Sequence, residues 1–116
     1  MEVHNHLGNG FQEVIYQRCL EIEMELQGLS FVREMEMKLT YKEKNVGTRR
    51  VDFFVEGNVM VELKAVLQLE GAHKAQAINY CEAYNIPDGL LINFGGDRLQ
   101  YHRVFNKNLK IRQKEK

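Results

Sequence analysis

The sequence has no tryptophan, a single proline and two cysteines in 116 residues. It also has no excess of either charge, since sixteen Lys and Arg balance sixteen Asp and Glu. Each scarcity excludes something. Two cysteines at positions 19 and 81, without C-x-x-C spacing, make neither a disulfide framework nor a zinc ribbon, and they read as small buried thiols in a reducing compartment. No apolar run approaches the ~20 residues of a membrane span, and no targeting segment stands out, so the expected setting is the cytoplasm without membrane association. Zero net charge argues against a uniformly basic nucleic-acid coat, because non-specific phosphate binding draws on surplus cations. His4 and His6 have no partner at ligand spacing and suggest no zinc site. There is no phosphate-cradling glycine loop and no G-x-S-x-G nucleophile elbow.

What is present is one domain of ordinary composition, long enough for one modest core. Its charge is segregated. Residues 1–30 carry a net −4, residues 31–96 a net −1 and residues 97–116 a net +5. The basic end, with Arg98, Arg103, Lys107, Lys110 and Arg112, is the expected electropositive surface. Residues 1–105 read as the folded domain and 106–116 as a polar basic tail.

Gly8-Asn9-Gly10 opens the chain, and Asn9 with Gln12 has the form of a capping box. Phe11, Val14, Ile15, Ile22, Leu26 and Leu29 then recur at helical spacing, which predicts a helix over 11–28 ending near Gly28. Period-two alternation predicts a strand over 32–42, and two more follow over 48–55 and 59–65. A helix over 72–84, a short apolar strand over 90–94 and a last strand over 98–105 complete the order α-β-β-β-α-β-β. A strand, a crossover helix and a second strand form a right-handed parallel unit, so 59–65 and 90–94 should lie side by side. The expected fold is a mixed-sheet α/β domain with helices flanking the sheet.

Three polar residues interrupt otherwise apolar strands: Asp52, Glu62 and Lys64. Glu62 and Lys64 are two apart and share a strand face. A three-residue loop, Glu56-Gly57-Asn58, sets Val55 against Val59, Phe53 against Val61 and Val51 against Leu63. That register matches apolar to apolar, and it brings Asp52 to Glu62 and Arg50 to Lys64. Two facing carboxylates repel each other, an objection that a bound divalent cation removes. The competing reading is an ion-pair ladder of Arg50, Asp52, Glu62 and Lys64 on a solvated face.

Asp52 followed by Glu62-x-Lys64 on adjacent strands between two helices resembles the PD-(D/E)XK nuclease superfamily, with Val51 where the namesake proline would stand. Gly10-Phe11-Gln12-Glu13-Val14-Ile15-Tyr16 fits the motif of the GxxExxY family. Val3-His4, Leu7-Gly8, Arg50-Val51-Asp52-Phe53, Val61-Glu62-Leu63-Lys64-Ala65, Gln76, Asn79-Tyr80 and Gly89-Leu90-Leu91-Ile92-Asn93-Phe94-Gly95 are similar to that family in the same order. Gln76-x-x-x-Tyr80 resembles an element of the RecB-like branch, and positions four apart share a helix face. Without the resemblance, these two are a surface glutamine beside a half-buried tyrosine.

The resemblance implies a restriction-endonuclease-like fold and a nuclease using Mg²⁺ or Mn²⁺. It implies Asp52, Glu62 and the Leu63 carbonyl as metal ligands, with Glu13 supplying a further ligand or a water contact. Lys64 would position or deprotonate the attacking water, Gln76 would orient Lys64 or the phosphate, and Tyr80 would flank it. His73, at the start of the second helix, is either a phosphate contact or an exposed helix-end histidine. The implied partner is nucleic acid, DNA in the first instance. Separately, the small size and zero net charge favour either an enzyme completed by a homodimer or protein partner, or a module that does not cleave. The alternative is a non-catalytic module that binds nucleic acid or protein on a nuclease fold.

Overall fold

A computed structural model describes residues 2–109. The elements are α1 (Glu2–Leu7), α2 (Glu13–Leu26), β1 (Phe31–Tyr41), β2 (Lys44–Val55), β3 (Val59–Lys64), α3 (Gly71–Ala83), β4 (Asp88–Asn93) and β5 (Gln100–Phe105). The strands form one sheet in the order β1-β2-β3-β4-β5. β3 and β4 are parallel, joined across α3 as a crossover requires, and the other neighbours are antiparallel. No helix among the described residues is long and apolar enough to cross a membrane.

Each sheet face buries its own cluster. Phe53, Val55, Val61, Leu63, Ile92 and Phe94 pack with Val3 of α1 and with Tyr16, Leu20 and Met24 of α2. Met37, Val51, Met60 and Val104 pack with Ala77 and Cys81 of α3 and with Ile86. The continuous apolar run of β4 follows from this: Leu91, Ile92, Asn93 and Phe94 are all buried because both faces are covered.

The beginning of the chain differs from the sequence expectation. Residues 2–7 form α1, with Val3 in the core and the His4 ring 6.3 Å from that of Phe94. The cap of α2 is Gln12, without a side-chain hydrogen bond, whereas Asn9 reaches across to Gly95 O at 3.4 Å and Asp97 Oδ1 at 3.5 Å. Tyr16 explains the change. Its ring stacks on Phe94 at 4.5 Å, and its hydroxyl donates to Gly8 O at 2.6 Å and accepts from Phe11 N–H at 3.2 Å. The 8–11 turn is thus held from inside the core rather than by a local cap. At its other end α2 stops as expected: Gly28 takes φ +76°, and the Leu29 and Gly28 amides donate to Met24 O and Glu25 O.

The β2–β3 hairpin has the register that the apolar matching predicts, with Val55 opposite Val59, Phe54 opposite Met60 and Phe53 opposite Val61. Beyond Phe53 the backbone ladder ends. The expected pairings of Asp52 with Glu62, Val51 with Leu63 and Arg50 with Lys64 do not form, and the Asp52 side chain meets the Leu63 amide instead. The irregularity on the neighbouring strand lies in β1. Glu34, between Arg33 (opposite Phe53) and Met35 (opposite Val51), has a left-handed φ of +54°. Alternation breaks there. Phe31 and Phe53 face α2, whereas Met35 and Val51 face α3. The ribbon of β1 and β2 twists away from β3 at the level of Asp52.

At the other end of the chain, Asn106 is buried, its amide donating to Pro87 O at 3.0 Å and its side chain to Cys81 O at 3.1 Å. The chain is therefore anchored at the residue where the basic tail was expected to begin. Most of that tail, with Lys110 and Arg112, lies outside the described residues.

Candidate metal and phosphodiester site

The site forms where β2 leaves β3. Splaying frees the Leu63 amide from a backbone partner, and the Asp52 side chain takes its place, with Oδ2 accepting Leu63 N–H at 2.7 Å. Asp52 Oδ1 accepts from Gln17 Nε2 at 2.7 Å. Asp52 therefore lies in the gap between the strands, held from both sides. Glu62, half-buried on β3, is its neighbour.

Burial pushes the Glu62 carboxyl up from its ordinary 4.5 to about 8, helped by a hydrogen bond to Asp52 and by the Asp52 charge. The Lys64 charge and the Asp52 backbone N–H oppose this but do not cancel it. Near neutral pH, burial and the neighbouring Asp52 thus favour the neutral form of Glu62. The two carboxyl groups adjoin, and a cation would offset the cost of ionising both. The ion-pair ladder is not what forms: Arg50 turns to Glu34 (3.9 Å), and Arg33 binds Glu21 (3.5 Å) and Glu34 (3.7 Å).

Lys64 ends β3 beside Asn93 of the parallel β4. Its backbone position is fixed: Phe94 N–H donates to Lys64 O at 2.9 Å. Asn93, fully buried, clamps the loop that follows, accepting from Val66 N–H at 2.9 Å and donating to Val66 O at 2.8 Å and Gln100 Oε1 at 2.9 Å. Gly95 lets this loop press on the end of β4, because a Cβ there would lie 2.4 Å from Val66 O.

The other expected site residues are placed less closely. Glu13 is exposed in the first turn of α2, and no group of three or more His, Cys, Asp or Glu positioned for a metal occurs among the described residues. Gln76 and Tyr80 share a face of α3, as their spacing predicts. They line a groove of about 520 Å³ with Leu39, Arg49 and Asn79, between α3 and the far half of the β1–β2 ribbon. Among the described residues no hydrogen bond joins either to Asp52, Glu62 or Lys64. His73 caps α3: its Nδ1 accepts Glu70 N–H at 3.0 Å, the reciprocal half of a capping box.

Two residues beside the site are absent from the sequence reading, Gln17 and Arg33. Arg33 Nε donates to Gln17 Oε1 at 2.9 Å, behind the Gln17–Asp52 bond. The available signal was a glutamine one turn after Glu13, on the side of α2 where Leu20 and Met24 pack.

The donor set suits a hard divalent ion, since two carboxylates and a nearby backbone carbonyl are the oxygen ligands that Mg²⁺ and Mn²⁺ prefer. Comparison with known proteins agrees at the level of fold. The crystal structure of SSO0001 superposes with a TM-score of 0.62 at 19% identity, covering 80% of this chain and 50% of that one. This chain thus spans about half the length of SSO0001, and at that identity the likeness is one of architecture. No curated protein matches the sequence. The PD-(D/E)XK nuclease superfamily matches residues 1–104, from α1 almost to the end of β5. That span takes in both helical layers and every strand, and the chain belongs to the PD-(D/E)XK nuclease superfamily.

Proposed function

We propose that this protein is a divalent-metal-dependent nuclease of the GxxExxY type, close to the RecB-like branch, that hydrolyses phosphodiester bonds in DNA. One observation carries the reading: Asp52, bound to Leu63 N–H at 2.7 Å, lies beside Glu62 in a half-buried gap, with Lys64 two residues on. In this reading Asp52, Glu62 and the Leu63 carbonyl hold Mg²⁺ or Mn²⁺. Glu13, one turn before Gln17 on the same helix face, contributes through water. When bound there, the ion would make hydroxide accessible near neutral pH and would offset charge on the phosphate. Lys64 orients the attacking water, and its positive charge stabilises the negative charge that builds on the phosphate oxygens as the phosphorus becomes five-coordinate. Gln76 and Tyr80 hold the nucleic-acid strand where it enters along the α3 groove. Free thiols at Cys19 and Cys81 suit a reducing, cytoplasmic setting.

The competing reading, a module that binds without cleaving, draws on the zero net charge. A cleavage assay on single- and double-stranded DNA and on RNA separates the two. Activity with Mg²⁺ or Mn²⁺ that EDTA and Lys64→Ala both abolish is the expected result. Binding without cleavage under every metal condition supports the module. A second copy or a protein partner supplying further cationic surface would appear as activity that rises with its addition.

A further inference from the structure

Four side chains run in line from the surface of α2 to the site: Glu21, Arg33, Gln17 and Asp52. Gln17 is the unusual member, 5% exposed on the core side of a helix where an apolar residue would pack at less cost. The chemistry of its partners settles its orientation. Arg33 has only donors, so the Gln17 atom facing it at 2.9 Å is the carbonyl oxygen. The amide nitrogen must then face Asp52, at 2.7 Å. Arg33 is itself paired with Glu21 and Glu34, which keeps its Nε–H against the Gln17 oxygen. One Asp52 oxygen is bound to α2 through Gln17, and the other to β3 through Leu63 N–H.

We propose that Gln17 is a positioning residue for Asp52, and that Arg33 acts through it by fixing the amide. Together they hold the Asp52 carboxylate in the orientation that leaves its remaining lone pairs for a divalent cation. The consequence for the metal rests on the nuclease reading above, whereas the orientation of Asp52 does not. Partners that orient a metal-binding carboxylate in this way typically change metal affinity by roughly 10–100-fold when removed.

The test compares wild type with Gln17→Met, which keeps length and packing but has no donor, and with Arg33→Met, which keeps an unbranched side chain but has no donor to fix the amide. Two measurements are made on each: hydrogen exchange at the Leu63 amide in metal-free protein, and Mn²⁺ affinity by calorimetry. In Gln17→Met, Leu63 should exchange roughly tenfold faster, as loss of one side of the Asp52 support loosens the other, while neighbouring β3 amides keep their protection. The Mn²⁺ dissociation constant should rise by roughly 10–100-fold. Arg33→Met should move both in the same direction, and it carries the comparison if Gln17→Met does not fold. Leu63 exchange unchanged in both variants overturns the proposal. So does loss of protection spread evenly over the sheet, which would make Gln17 a packing residue. A wild type that takes up no Mn²⁺ overturns the metal reading instead, and the exchange at Leu63 still decides the role of Gln17.

Discussion

Glu62 is where the fold's electrostatics become measurable without any ligand. In the unfolded chain its carboxyl ionises at its ordinary 4.5, and in the folded protein burial and Asp52 hold the proton until about pH 8. Between those values the native state binds a proton that the unfolded state has released. The stability Glu62 contributes is therefore complete below pH 4.5 and is lost as pH rises through 8. Denaturant midpoints across this window should fall with pH in the wild type and fall less steeply in Glu62→Gln. Parallel slopes in the two proteins would show that Glu62 is not so stressed. The two thiols form a second contrast at this scale. Cys81 is buried, and burial, then Asp88 and Glu82, pushes its thiol up to about 11, while Cys19 is half-exposed. Iodoacetamide should label Cys19 first and leave Cys81 unmodified in the native protein. Asp52, Glu62 and Lys64 were legible in the sequence as polar residues inside apolar strands. Gln17 and Arg33 were not, because nothing local marks a glutamine whose partners come from two other strands.

At the scale of elements, the apolar alternation of β2 and β3 set the hairpin register, and the crossover rule set β3 parallel to β4. The departures from regularity were hidden. The left-handed Glu34, where β1 and β2 switch from the cluster under α2 to the one under α3, is not marked by a turn-forming residue. The N-terminal capping pattern misled for a related reason: Tyr16 holds the turn from the core and frees Asn9 to bridge to Gly95 and Asp97. Tyr16→Phe should lose about 1 kcal/mol in thermal or chemical unfolding, since it removes the hydroxyl and keeps the stacked ring. Gly95→Ala should cost more. The added methyl meets backbone at 2.4 Å and must displace the loop after Lys64, so metal-dependent activity should fall together with stability. An alanine variant with unchanged melting and activity would contradict so close an approach of the loop to β4.

Across the whole molecule, the even charge balance conceals a gradient from an acidic start to a basic end. Arg98, Arg103 and Lys107 are exposed, and Arg103 also lies over the Phe105 ring at 5.0 Å. Reversing these three charges should weaken nucleic-acid binding and flatten its dependence on salt, by roughly one unit of slope for each phosphate that is no longer neutralised. Unchanged salt dependence would place the nucleic acid elsewhere, with the α3 groove and Arg49 next in line.

If Asp52 and Glu62 hold a divalent cation, a Mn²⁺ titration followed by both heat and melting temperature must show it. Ligand bound only to the folded state stabilises by RT ln(1+[L]/Kd), about 2.7 kcal/mol at a hundredfold excess over Kd. Wild type should bind Mn²⁺ and melt higher in its presence, Lys64→Ala should do the same, and Asp52→Asn and Glu62→Gln should do neither. Wild-type protein that binds no Mn²⁺ and melts at the same temperature with and without it would contradict the account.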